Sequence, residues 1–190
     1  VGSVTKQFTA TAILKLEMMS KLSVNDSLEK YFPHAPADKK KITLHQLLTH
    51  TAGFKPDLGD DYEPLNRDAF IKRAMETPLN FTPGQKYDYT NVGYSILAAI
   101  IELTAGMNYE QFLQKYLFEP AGMKYTGYVI PDWKQQTLAT GYRGKERWGK
   151  SNEKPWDADG PYWNLKGNGG ILSNVEEMYR WHQALLSDKI

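Results

Sequence analysis

The chain has 190 residues, enough for one domain with a substantial core, which excludes a mini-protein that needs staples. Hydrophobic residues make up 41% and charged residues 24%, a globular mixture rather than a disordered or fibrous one. A formal net charge of +1 and no cysteine give no electrostatic case for a nucleic-acid partner and exclude a disulfide framework, a thiolate zinc site and a cysteine nucleophile.

In chain order, Phe8, Ala12, Leu16 and Met19 recur at helical spacing and predict a helix from Thr5 to about Met19. Asp26-Ser27-Leu28-Glu29 reads as a capping box opening a short helix that Pro33 ends. Thr43 with Gln46 repeats the device for a helix to about Thr49, and Gly53 is a stop signal. A loop rich in Asp, Pro and Gly follows, from Lys55 to Pro64, then a helix from about Arg67 to Glu76. Pro78, Pro83 and Gly84 punctuate the approach to Tyr87-Asp88-Tyr89-Thr90-Asn91. Val92 to Thr104 is the most apolar helix, closed by Gly106. Its run Ile96-Leu97-Ala98-Ala99-Ile100-Ile101 falls far short of the ~20 residues of a membrane span.

Asn108 caps a helix from Tyr109 to about Phe118, ended by Pro120. Tyr125 to Ile130 and Thr137 to Tyr142 are short strand candidates, and Arg143 to Asn164 reads as a Gly-, Trp- and charge-rich loop. Gly167-Asn168-Gly169-Gly170 leads into a last helix, capped by Ser173 with Glu176. Helices with few strands predict one mainly helical domain over residues 1–190. A start without Met and a stop directly after a helical pattern predict the middle of something longer. Tyr and Trp are concentrated in the second half, where they either pack a loop-rich region or line a concave ligand site.

Two short patterns can carry chemistry. Ser3 and Lys6 form S-x-x-K at the start of the first helix, where residues three apart share a face. A serine hydroxyl is a weak nucleophile until a base or a cation lies beside it. Lys6 supplies one or the other, and the helix N-terminus favours negative charge at the same place. The plain alternative is that Ser3 merely caps the helix. Tyr89-Thr90-Asn91 sits in a loop just before the most apolar helix, a position from which polar side chains face a cleft. There Tyr89 can act as general base beside a cation such as Lys6, and Asn91 can hold a substrate amide or Lys6 itself. The alternative makes Asn91 an N-cap and Tyr89 a packed aromatic.

Other features read as structure. Gly93-Tyr94-Ser95 lacks the rest of a nucleophile elbow, so Ser95 is assigned to packing. The histidines never form H-E-x-x-H, no metal site is assigned, and His50 is expected to tie a loop together. Gly167-Asn168-Gly169-Gly170 lines a cleft or makes a tight turn, and Asp38-Lys39-Lys40-Lys41 reads as a solvated face.

Val1-Gly2-Ser3-Val4-Thr5-Lys6 with Phe8-Thr9-Ala10 resembles the nucleophile segment of the serine β-lactamase/penicillin-binding protein superfamily. Tyr89-Thr90-Asn91 is similar to the Y-x-N motif of its branch of class C β-lactamases, D-Ala-D-Ala carboxypeptidases and esterases. Further matches run in family order: Leu47 to Phe54, Thr82-Pro83-Gly84, Tyr94 to Leu97, Pro120 to Met123, and Gly169 to Ser173. The family's third motif, K-T-G or H-x-G on a strand, does not occur in these residues, and Lys166-Gly167-Asn168-Gly169 imitates it poorly.

The resemblance implies the mainly α-helical region of an α+β serine β-lactamase-like fold, with the antiparallel sheet largely missing and the domain incomplete at both ends. It implies a cofactor-free serine hydrolase working through an acyl-enzyme, with Ser3, Lys6 and Tyr89 catalytic. Asn91, Gly169 and Gly170 would then bind substrate, which is a β-lactam, a D-alanyl peptide or a small ester. The alternative is a binding or sensor module that acylates without turnover or merely binds. A periplasmic or extracellular location is implied as well, to which the lack of cysteine adds agreement.

Overall fold

The computed structural model describes residues 1–188 and 190. A 3-10 turn at Gly2–Val4 leads directly into α1, Thr5–Met18. Phe8, Ala12 and Leu16 are fully shielded from solvent, one apolar side chain per turn as the spacing requires. Next come α2 (Leu44–Leu48), α3 (Arg67–Glu76), α4 (Asn91–Ala105) and α5 (Tyr109–Leu113), with α6 (Val175–Leu185) last.

Every residue from Val92 to Ile101 is buried, and α4 packs against α1, α2, α3 and α5. A helix apolar all round belongs in the interior. Its end is set by Gly106 at φ 68°, a left-handed geometry that a side chain would strain. Phe8 joins distant parts of the chain. Its ring meets Phe118 edge-on at 5.0 Å and Trp181 at 4.8 Å, linking α1 to the turn after α5 and to α6. Among the described residues the only sheet is a hairpin, β1 (Gly141–Arg143) antiparallel to β2 (Glu146–Gly149). The architecture is therefore the helical region of the expected fold, without its large sheet.

Local expectations divide. Thr43 accepts from the Gln46 N–H while the Gln46 side chain reaches back to the Thr43 N–H, so that capping box forms as read. Asn108 accepts from the Gln111 N–H, again as read. Three assignments at helix starts change. The Asp26 carboxylate is taken by the Ser23 N–H, Lys30 Nζ and Tyr31 Oη, so it caps nothing and only a 3-10 turn forms, at Leu28–Lys30. The last helix is capped by Asn174, which accepts from the Glu177 N–H, not by Ser173 with Glu176. Thr90 rather than Asn91 is the N-cap residue of α4, which leaves the Asn91 side chain free for other partners.

Other corrections concern the second half. The predicted helix to Phe118 passes into a wider π-type turn from Gln114. Tyr125–Ile130 forms no strand and makes only a bridge between Gly127 and Leu172. Its N–H groups at Tyr128, Val129 and Ile130 go instead to the Glu110 carboxylate, at 2.5, 3.1 and 3.1 Å. The second strand shrinks to β1, and its partner β2 lies in the segment read as loop. In the lysine run, Lys39 is not solvated: it is 2% exposed and paired with Asp38 at 2.8 Å. Of the second-half aromatics, Trp181 and Tyr128 pack in the core, while Tyr142 and Tyr179 are exposed.

Candidate active site

The turn before α1 presents Ser3 to solvent, and one helical turn later Lys6 is only 6% exposed. Lys6 Nζ donates to Asn91 Oδ1 at 2.7 Å and to the Asn168 carbonyl at 2.8 Å, and lies 3.4 Å from Ser3 Oγ. These directions use the three tetrahedral positions of an amine nitrogen. Two strong acceptors hold it, and the third position faces the serine. Tyr89 Oη also donates to Ser3 Oγ, at 2.8 Å. The Tyr89 ring also lies against the lysine, with Nζ 4.7 Å from its centroid. Ser3 thus does not cap a helix. Its hydroxyl stands between a lysine and a phenol.

Burial pushes the Lys6 ammonium below the usual lysine value, and Tyr89, Asp57 and Asp61 offset part of that shift. A desolvated amine gives up its proton more readily, which favours a part in proton transfer. His50 is also held low, first by burial and then by the charge of Lys6. Its Nδ1 accepts from the Thr90 N–H at 3.2 Å, and its ring stacks on Tyr89 at 4.6 Å. The expected loop tie is therefore also a backing plate for Tyr89.

Four segments far apart in sequence meet here: Ser3 and Lys6, Tyr89 with Asn91, His50, and the turn at 167–170. That turn touches the lysine through the Asn168 carbonyl. Gly169 and Gly170 adjoin the contact, Gly169 with its carbonyl bonded to Tyr128 Oη at 2.9 Å and Gly170 at φ 82°. Ser95 is fully buried, donating to the Lys166 carbonyl and accepting from Asn168 Nδ2, so its assignment to packing holds. Sequence reading missed Asp57, whose Oδ1 accepts from Asn91 Nδ2 at 2.7 Å. No motif marks it, although it sits in the acidic loop already noticed. A cavity of about 850 Å³ between Tyr31–Pro36 and α3 is separate from this cluster and contains no serine or threonine in its walls. The described residues include no group of three His, Asp or Glu side chains placed to hold a metal ion.

The sequence model of the Beta-lactamase family matches residues 1–190. A Bacillus subtilis (strain 168) protein named "Putative penicillin-binding protein PbpX" is 35% identical over the whole chain, which spans 46% of that protein. The solved penicillin-binding protein homologue of Pyrococcus abyssi, described as octameric, superposes at TM-score 0.78 with 29% identity, covering 100% of this chain and 45% of its own. The penicillin-binding protein structure from Bacillus halodurans superposes at 0.79 with 25% identity, over 100% of this chain and 60% of that one. The chain thus spans about half the length of the relatives it matches. With S-x-x-K and Y-x-N motifs meeting at one serine, inside a fold shared along its full length, the chain belongs to the Beta-lactamase family.

Proposed function

We propose that these residues form the nucleophile half of a serine hydrolase that works through an acyl-enzyme. The observation that carries this reading is Ser3 Oγ, open to solvent, 2.8 Å from Tyr89 Oη and 3.4 Å from Lys6 Nζ. As Ser3 Oγ attacks a carbonyl, its proton passes to the Lys6–Tyr89 pair. The same pair returns a proton to the leaving group as the tetrahedral intermediate collapses. Water then attacks the ester, with the pair again as base. Asn91 holds Lys6 and offers its amide edge to substrate, while Gly169 and Gly170 allow close approach of the backbone beside Asn168. The substrate is a β-lactam, a D-alanyl peptide or a small ester, and the setting is periplasmic or extracellular. Neither metal nor cofactor enters this scheme.

The test is Ser3→Ala in the full-length gene product, assayed with a chromogenic ester and a fluorescent penicillin. Loss of both turnover and labelling is expected, and undiminished turnover would remove Ser3 as nucleophile. Intact-mass measurement on the unaltered protein separates the two classes of function: a stable adduct without turnover identifies an acylation-only sensor.

A further inference from the structure

The Lys55–Pro64 loop does more than border the cluster. Thr90 Oγ1 donates to the Lys55 carbonyl at 2.6 Å and the Asn91 N–H to the Pro56 carbonyl at 2.8 Å. Asn91 Nδ2 then donates to Asp57 Oδ1 at 2.7 Å. Three successive residues, Lys55 to Asp57, are therefore stitched to Thr90-Asn91, and the last stitch falls on the side chain that holds Lys6. A carboxamide is nearly symmetric in shape but opposite in polarity at its two ends. Turned over, Asn91 would present an N–H to the lysine rather than an acceptor. A carboxylate only accepts, so Asp57 dictates that Nδ2 faces the loop and Oδ1 faces Lys6.

We propose that Asp57 is a positioning residue for the acylation step, setting the polarity of the Asn91 amide and through it the place of the Lys6 amine. This rests on the reading of Ser3, Lys6 and Tyr89 as the reacting groups. Asp57 touches none of them directly. Its side chain is exposed, so nothing in the core depends on it. Its negative charge also acts on Lys6, favouring the protonated amine. Removing that charge makes Lys6 lose its proton at lower pH.

The experiment compares Asp57→Ala and Asp57→Asn with the unaltered full-length protein, following acylation by the fluorescent penicillin and ester turnover across pH. Asp57→Ala is expected to slow acylation roughly 10-fold or more, since small misplacement of a reacting group is costly. The acidic limb of its pH–rate profile should move to lower pH. Asp57→Asn keeps the shape and one acceptor, so it should recover much of the rate while keeping the displaced limb. A purely structural role would lower the melting temperature without moving the limb. An unmoved limb in both variants, or wild-type acylation in Asp57→Ala, overturns the proposal. If Asp57→Ala fails to fold, the limb of Asp57→Asn decides alone. Should Ser3→Ala retain full turnover, the underlying reading fails. If Ser3→Ala is inactive while both Asp57 variants behave as wild type, only the role of Asp57 is lost.

Discussion

Lys6 and Tyr89 both reach Ser3 Oγ, at 3.4 and 2.8 Å, and each also lies against the other, Nζ being 4.7 Å from the tyrosine ring centroid. The two side chains are therefore placed to act together on the serine proton. Tyr89→Phe and Lys6→Ala should each slow acylation at least ~10²-fold, the low end of general-base catalysis. The double variant should be little worse than either single one, because residues acting as a unit are not additive. Single-turnover acylation rates for the four proteins check this, and losses that simply multiply would refute the coupled pair. Ser3, Lys6, Tyr89 and Asn91 were all legible in the sequence because their motifs fix residue types at short spacing. Asp57 was not, since its value lies in a contact across 34 positions with Asn91.

At the scale of elements, caps were legible where the polar residue had no competing donor. Thr43 and Asn108 keep their capping bonds. Asp26 fits the same pattern yet is claimed by Lys30, Tyr31 and the Ser23 N–H. Partial burial pushes its carboxyl up, but those hydrogen bonds together outweigh it and hold it below the usual value. A carboxyl depressed in the fold stabilises above its unfolded value and loses that contribution as pH falls through its folded value. Asp26→Asn should therefore cost up to about 1 kcal/mol at neutral pH, since the Lys30 partner is exposed and screened, and urea midpoints should show the difference shrinking below about pH 4. A difference that persists in acid would mean that the contribution is not ionic. The strands were less legible for a related reason. The β1–β2 hairpin is exposed from Tyr142 to Arg147, so it needs no alternation of apolar and polar residues. Tyr125–Ile130 looked like a strand, but a buried glutamate on α5 takes the donors that a partner strand would use.

Across the whole molecule, the site depends on a buried relay from α5 to Lys6. Glu110 grips the Tyr128 N–H, and Tyr128 Oη accepts from the Gly167 N–H at 3.0 Å and donates to the Gly169 carbonyl at 2.9 Å. Between those two glycines stands Asn168, whose carbonyl holds the lysine. Tyr128→Phe leaves two buried backbone groups unpaired and should cost at least about 2 kcal/mol. Denaturant unfolding together with acylation rates checks this; wild-type values in both would break the relay. Here sequence and tertiary structure divide the determination between them. The sequence by itself determined the helical class, the central place of α4 and which residues were candidates to meet at Ser3. Periodic burial and short motifs depend on neighbours a few residues apart. Only the tertiary structure decided which carbonyl faces Lys6, which carboxylate orients Asn91, and that Glu110 replaces a strand. Those contacts join residues that no local pattern relates, and they exist because α4 brings α1, the Lys55–Pro64 loop and the turn at 167–170 onto one end of the core.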